Sequence, residues 1–351
     1  MAGQCWASHW HQLGGDASRS GPVGHDIPEQ PRVAWKRSLL AKSYAAPVVD
    51  GNIVYSVAGD QIVAWSTSEG KEIWRFVNSS VMSATPVIAD GKIVIAGKDG
   101  VVRALNKKNG TLVWHCKTGG SVVAALLAEG ESVYVGATDN FLYSISIASG
   151  VVRWRFEAPD YKYGGLYAPA TYANGTVFFG TKNAWLYAVD SRSGIMRWRA
   201  RVGSSVYDAP LIRGGRIYVG SYDRSVYALQ ESTGDVLWQS RLPDWPKGTG
   251  VVHEGKAVFA CRNGMLMELN INTGAIERRM TVGEEIRHGL LLGDRGISVI
   301  GTVGGEVVTL DAEGWRILKR VAVGSAVHAQ PAVTDKGVFV TTLGDALIKL
   351  H

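Results

Sequence analysis

Cysteine is scarce in this chain: 351 residues contain Cys5, Cys116 and Cys261 and no others. An odd number with no CxxC spacing builds neither a disulfide framework nor a zinc knuckle. The expectation is unpaired thiols in a reducing compartment. Long apolar runs are missing as well. No stretch of about 18 residues is apolar enough for a membrane helix. Residues 1–21, MAGQCWASHWHQLGGDASRSG, lack the basic segment followed by an apolar one that marks a secretory signal. Cys5 is therefore not read as a lipid-anchor site, and the chain is expected to be cytoplasmic, with no membrane partner. Charged residues make up only 19%, and the net charge of +6 is scattered, with Lys107–Lys108 and Arg278–Arg279 the densest basic pairs. Without a basic stripe, nucleic acid is not expected as a partner. There is no GxSxG, no activated-cysteine context and no phosphate-cradling glycine loop, so nucleophilic and nucleotide-dependent chemistry have no support. The histidines are dispersed; His9 and His11 form only a weak pair, and no metal site is predicted.

Glycine, by contrast, is plentiful, and its 43 copies fall singly at turns. They punctuate a repeat. AVDSRSGIMRW (residues 188–198) has close variants beginning at Ala64, Ala104, Ser144 and Ala228. In each, an alternating strand enters a polar turn closed by Gly, and Trp follows four residues later. Trp74, Trp114, Trp154, Trp198 and Trp238 are spaced 40, 40, 44 and 40 residues apart. A fixed period of this size marks units that cannot bury their apolar faces alone.

Each period reads as four short strands joined by tight turns, which predicts a propeller blade and not a βαβ unit. Full units begin near Tyr44, Ser83, Val123, Leu166, Val206, Lys247 and Arg287. The sixth carries Arg278 in place of Trp, and in the seventh Leu318 is assigned that place. An eighth unit from Val327 stops after three strands, while an isolated strand at residues 32–39 contains Trp35. The predicted fold is all-β: an eight-bladed propeller of four antiparallel strands per blade, closed by the N-terminal strand completing the last blade. Residues 1–31 form an extended leader on a single propeller of residues 32–351. The tryptophans are read as glue between blades, each ring burying on the order of 150–250 Å².

The AxDxxTGxxxW-like signature resembles the tryptophan-docking motif of the PQQ-like β-propeller repeat family, over roughly residues 6–351. Trp10–Gly21 is similar to the leader that precedes such propellers. The resemblance implies relatives that are quinoprotein dehydrogenases or an outer-membrane assembly scaffold. Those dehydrogenases hold a quinone beside a disulfide of adjacent cysteines and a Ca²⁺ site. This chain has no adjacent cysteine pair and no recognisable oxygen cage, so neither PQQ nor Ca²⁺ is expected.

Where the repeats stop being alike, a site is expected. The first three units enter their innermost strands with small or apolar residues apart from Tyr44. Later units enter with Tyr167, with Tyr207–Asp208, Lys247, Arg287–His288 and His328, which a closed ring gathers at one mouth of its channel. His288, His328, Asp208, Tyr207 and Tyr167 are the candidate acid–base and oxyanion-stabilising residues. Arg287, Lys247, Tyr44, Trp245, Tyr163 and Arg262 are the candidate binding residues. Two cations in an aromatic wall suit a small organic anion, such as a carboxylate. A cofactor-free lyase, isomerase or cyclase fits, and so does a non-catalytic interaction scaffold or a ligand-sensing module with a protein partner.

Overall fold

The computed structural model describes residues 9–18, 23–159 and 165–351. Eight antiparallel sheets form an eight-bladed propeller of four strands per blade, and in blade 1 the leader strand His9–Trp10 adds a fifth. Blade 1 runs from the innermost strand Val48–Asp50 through Ile53–Ala58 and Gln61–Ser66 to the outermost Glu72–Val77. In blade 8, Val33–Ser38 supplies the outer strand beside Ala346–Leu350. Arg32 and His351 exchange two backbone hydrogen bonds at 2.8 and 3.1 Å, so opposite ends of the chain seal the ring and leave no open sheet edge there. No helix among the described residues is long and apolar enough to cross a membrane.

The apolar core lies between blades. One cluster joins Val57 and Trp74 of blade 1 to Ile93 and Leu105 of blade 2, and another joins Val94 and Trp114 to Val133 and Ile145. Six of the eight seams are pinned by one tryptophan. The Trp74 indole N–H donates to Lys107 O at 3.0 Å, and its ring covers Gly110, where a Cβ would come within 2.6 Å. Gly110 is left-handed at φ 73°, so both the turn and the covering ring require glycine. Trp35, Trp114, Trp154, Trp198 and Trp238 repeat the bond to the following blade, at 2.8–3.2 Å.

The seam between blades 6 and 7 inverts this arrangement. Arg278 pairs across the strands with Glu268, as Trp238 pairs with Ala228. Its guanidinium donates to Glu313 O at 3.0 Å, in the turn of blade 7. The left-handed position of that turn is held by Trp315, at φ 49°, and its indole N–H reaches back to Glu268 Oε2 at 3.1 Å. The ring has thus moved from one side of the seam to the other. In blade 7 the register also corrects the sequence assignment. Lys319 opposes Thr309 at the tryptophan position, and Leu318 falls in the strand bulge.

The innermost strands are short, three residues in most blades. Pro47, Pro86, Pro169, Pro210 and Pro331 lack an N–H for the ladder, so pairing starts after them. Leu126 and Leu290 stand in that place in blades 3 and 7, whose inner strands are equally short, whereas the inner strand of blade 6 extends from Pro246 to His253, with an irregularity between Lys247 and Val251.

The leader runs around the inner edges. His11 O, Ala17 O and Ser18 O accept from Ile88, Tyr172 and Ile212 N, the Gln12 side chain accepts from Ala128 N, and Val23 N donates to Leu292 O. It thereby satisfies inward backbone groups of several blades that no further strand could reach.

The exchanged seam gives a direct test. Arg278→Trp alone should overpack against Trp315 and cost about 1–3 kcal/mol. Adding Trp315→Gly should recover at least about 1 kcal/mol beyond the sum of the single effects, read by urea unfolding. Strict additivity would mean that the two side chains do not share one space.

Candidate functional site

The residues that lead into the inner strands converge because the turn between the second and third strands of a blade holds them. Lys98, Thr138, Tyr222, Val303 and Leu343 each donate a backbone N–H to the lead-in segment of their own seam, at Val81, Ser121, Ser205, Glu285 and Ala326 O, with distances of 2.8–3.0 Å. Tyr44, Tyr167, Tyr207, Asp208, Arg287, His288 and His328 all line one cavity of about 200 Å³ on the channel axis. Ser83, Thr85 and Val123 to Ala125 make the opposing wall small, and Leu13 of the leader reaches the lining from the far ends of the inner strands.

Three candidates stand elsewhere. Lys247 was expected on the wall, yet it is only 7% exposed and sits behind Gly248 and Thr249, which line the cavity in its stead. Its pairing with Ala260 in the extended inner strand holds it there, with the ammonium hydrogen-bonded to the Tyr222 hydroxyl. Trp245 and Arg262 are outside the cavity lining. The Trp245 ring lies parallel to Tyr222 at 5.2 Å, and the Arg262 guanidinium lies 4.2 Å from its centre while facing Asp244 at 3.4 Å. Tyr163 lies outside the described residues.

These contacts form a continuous chain of rings and cations. From Arg262 and Trp245 it passes through Tyr222 to Tyr207, whose rings are 4.6 Å apart. Lys182 then covers Tyr167 at 4.3 Å and Tyr207 at 5.8 Å. Sequence reasoning missed Lys182, which lies in the turn between the second and third strands of blade 4. Trp185, from the same turn, heads the other way and lies under Arg199 and Arg201 on its own blade. The rim cations thus rest on π faces that the fold already supplies.

Electrostatics separates the titratable groups. Burial pushes the Asp208 carboxyl up from its usual range, against the opposing pull of Lys247 and the Gly248 N–H, although one edge still meets the cavity. Burial likewise pushes His288 down to about 4. His288 is 6% exposed, and its Nδ1 lies 2.9 Å from Gly289 O. A carbonyl only accepts, so Nδ1 carries the proton, and the unpartnered Nε2 presents a lone pair toward Gly301 and the seam with blade 8. A neutral imidazole turned into the seam does not suit the general-base role assigned to it from sequence. His328 is more open. Burial lowers its pKa, and Arg287 adds to the effect while Glu285 opposes it. Tyr44 meets its ring edge-on at 6.1 Å, and Arg287 pairs with Glu285 at 2.6 Å.

His288 should register in the pH dependence of stability. Above pH 6.5 it is neutral whether folded or unfolded. Between 6.5 and about 4 the unfolded chain takes up a proton that the folded protein refuses, so stability falls as pH drops through this window. The loss should be on the order of 1–3 kcal/mol. The raised Asp208 acts in the opposite sense, removing stability as pH rises above 3.8. His288→Gln should flatten the fall between pH 6.5 and 4 in denaturant titrations; an unchanged slope would assign it to other groups.

Comparisons with known proteins follow the architecture. The family model described as "Outer membrane protein assembly factor BamB" matches residues 26–165, 160–285 and 262–351. The Outer membrane protein assembly factor BamB of Bordetella pertussis is 31% identical over 144 residues, which are 39% of this chain and 37% of that protein. The chain therefore matches well under half the length of that relative. The crystal structure of BamB from Moraxella catarrhalis superposes with a TM-score of 0.76 at 17% identity, covering 92% of this chain and 97% of that one. A europium-containing methanol dehydrogenase superposes with a TM-score of 0.79 at 13% identity, covering 95% and 89%. At these identities the two structures establish a shared fold.

Proposed function

The chain belongs to the PQQ-like propeller family described as outer membrane protein assembly factor BamB, and on that premise we propose that its channel cup binds a small organic anion bearing a carboxylate. The observation that carries this reading is the convergence of Arg287 and His328, from adjacent blades, with Tyr44, Tyr167 and Tyr207 around one cavity. Arg287 supplies a planar fork matched to a carboxylate, and the phenols supply orientable donors. Asp208, biased toward its neutral form, does not repel an anion as an ionised carboxylate would. Lys247 contributes charge from behind the wall and makes no direct contact. The chemistry open to the cup is proton transfer of the lyase, isomerase or cyclase kind, with His328 exchanging the proton and Tyr167 or Tyr207 donating to a developing oxyanion.

The same residues do not fit a quinone held by Ca²⁺. Calcium takes about 6–8 oxygen ligands, and among the described residues Asp208 is the one carboxylate in the cup. Cys116 lies in an outer strand of blade 2 and Cys261 in the second strand of blade 6, so they cannot form an adjacent pair. A second reading, a protein-interaction scaffold, draws support from the family's description and from the half-buried Tyr222–Trp245–Arg262 stack, whose residue types anchor many interfaces.

Calorimetric titration with a panel of small mono- and dicarboxylates distinguishes the two. Saturable binding that Arg287→Ala weakens by about tenfold or more, with Trp245→Ala nearly silent, supports the cup; a lost carboxylate–guanidinium pair is worth that much. No saturable binding across the panel, or binding indifferent to Arg287, overturns it.

A further inference from the structure

Strand pairing brings three metal-ligating side chains together at a place unrelated to the cup. His9 and Trp10 form a short strand against the innermost strand of blade 1, with His9 opposite Asp50 and Trp10 opposite Val49. Residues two apart share one side of an extended chain, so His9 and His11 both turn toward Asp50. Trp10 points the other way and is buried to 1% exposure over Gly15, where a Cβ would lie 2.9 Å from its ring. That ring fixes the orientation of the segment.

His9 Nδ1 and His11 Nε2 each lie 2.9 Å from the same oxygen, Asp50 Oδ1, and the rings are 5.0 Å apart. The three ligand atoms fall within 4.8 Å of one another. His9 Nδ1 has no hydrogen-bond partner despite its burial, so its approach to the carboxylate is not hydrogen-bonding geometry. The other carboxylate oxygen, Oδ2, is held by the Lys107 ammonium, which orients the group and leaves Oδ1 to the histidines.

We propose that His9, His11 and Asp50 form a binding site for a divalent transition-metal ion of the zinc class, fastening the leader to blade 1. Two imidazoles and one carboxylate suit zinc and its neighbours in the transition series; the harder Mg²⁺ and Ca²⁺ call for oxygen donors throughout. Tetrahedral zinc with bonds of about 2.0–2.2 Å holds its ligand atoms roughly 3.3 Å apart, close to the 2.9 Å between each histidine nitrogen and Asp50 Oδ1. A cavity of about 480 Å³ beside both histidines, bounded also by Glu129 and His25, leaves room for water to complete the coordination. The side chains of His9 and His11 retain 36% and 32% exposure although His9 Nδ1 itself is buried, so entry of an ion calls for a local shift of the imidazole and no unfolding of the propeller. Bound metal would hold the stretch that carries Leu13 to the base of the channel.

The test is titration of the full chain with Zn²⁺ alone, by competition with a chromophoric chelator, and with Co²⁺, whose visible absorption reports coordination. One equivalent should bind, and His9→Ala, His11→Ala and Asp50→Asn should each weaken it by about tenfold or more. Zinc should also slow proteolytic cleavage of the leader in the wild-type chain but not in these variants, whose thermal melts check that the propeller is intact. Failure of the wild type to bind one equivalent would reduce the cluster to an ion pair and overturn the proposal. So would equal affinity in the His9→Ala, His11→Ala double variant, which would place the metal elsewhere.

Discussion

A tryptophan ring lying over the turn glycine of the next blade is the contact on which this structure depends. A four-stranded blade is too thin to bury both of its faces, so each must borrow cover from its neighbours. The indole supplies the largest flat apolar surface available, and its N–H ties that surface to a specific carbonyl. Glycine answers on the other side, since any Cβ on the turn would occupy the volume of the ring. Repeated from Trp35 to Trp238, this lock sets the angle between blades, and the summed angle closes the ring where Val33–Ser38 meets Ala346–Leu350.

The seam between blades 6 and 7 shows what the lock needs. Arg278 replaces the ring yet keeps its function as a donor to the neighbouring turn, and Trp315 restores the lost volume from the opposite side. Trp315 sits in a left-handed conformation that bulky residues rarely adopt. Space, donor and turn are therefore separable requirements, met by different residues here than elsewhere in the ring.

Closure determines the chemistry of the channel. Lead-in residues far apart along the chain become neighbours only because eight blades share one axis. Once gathered, they are sorted by solvent contact. Asp208 and His288 are both driven toward neutrality by burial, from opposite sides of the pH scale, whereas His328 and Arg287 stay near water and near each other. The polarity of the cup follows from depth as much as from residue type. At the far ends of the inner strands the leader satisfies backbone groups and brings Leu13 to the cavity, so the two ends of the channel are built from different material.

The sequence by itself determined the architecture: blade count, strand order, the completing N-terminal strand and the tryptophan seams all follow from a spacing that recurs along the chain. Periodicity is legible because it is local and repeated. It also told which lead-in positions meet on the axis, since Tyr167, Tyr207 and His328 occupy equivalent places in their units. Only the tertiary structure decided which way each side chain turned. Lys247 withdrew because the extended inner strand of blade 6 pairs it with Ala260, and His288 turned into a seam whose shape depends on Gly301 and Val327. Lys182, the Arg278–Trp315 exchange and the meeting of His9 and His11 with Asp50 were equally hidden. Each joins residues from different blades, or from leader and blade, through contacts that a one-dimensional period does not encode.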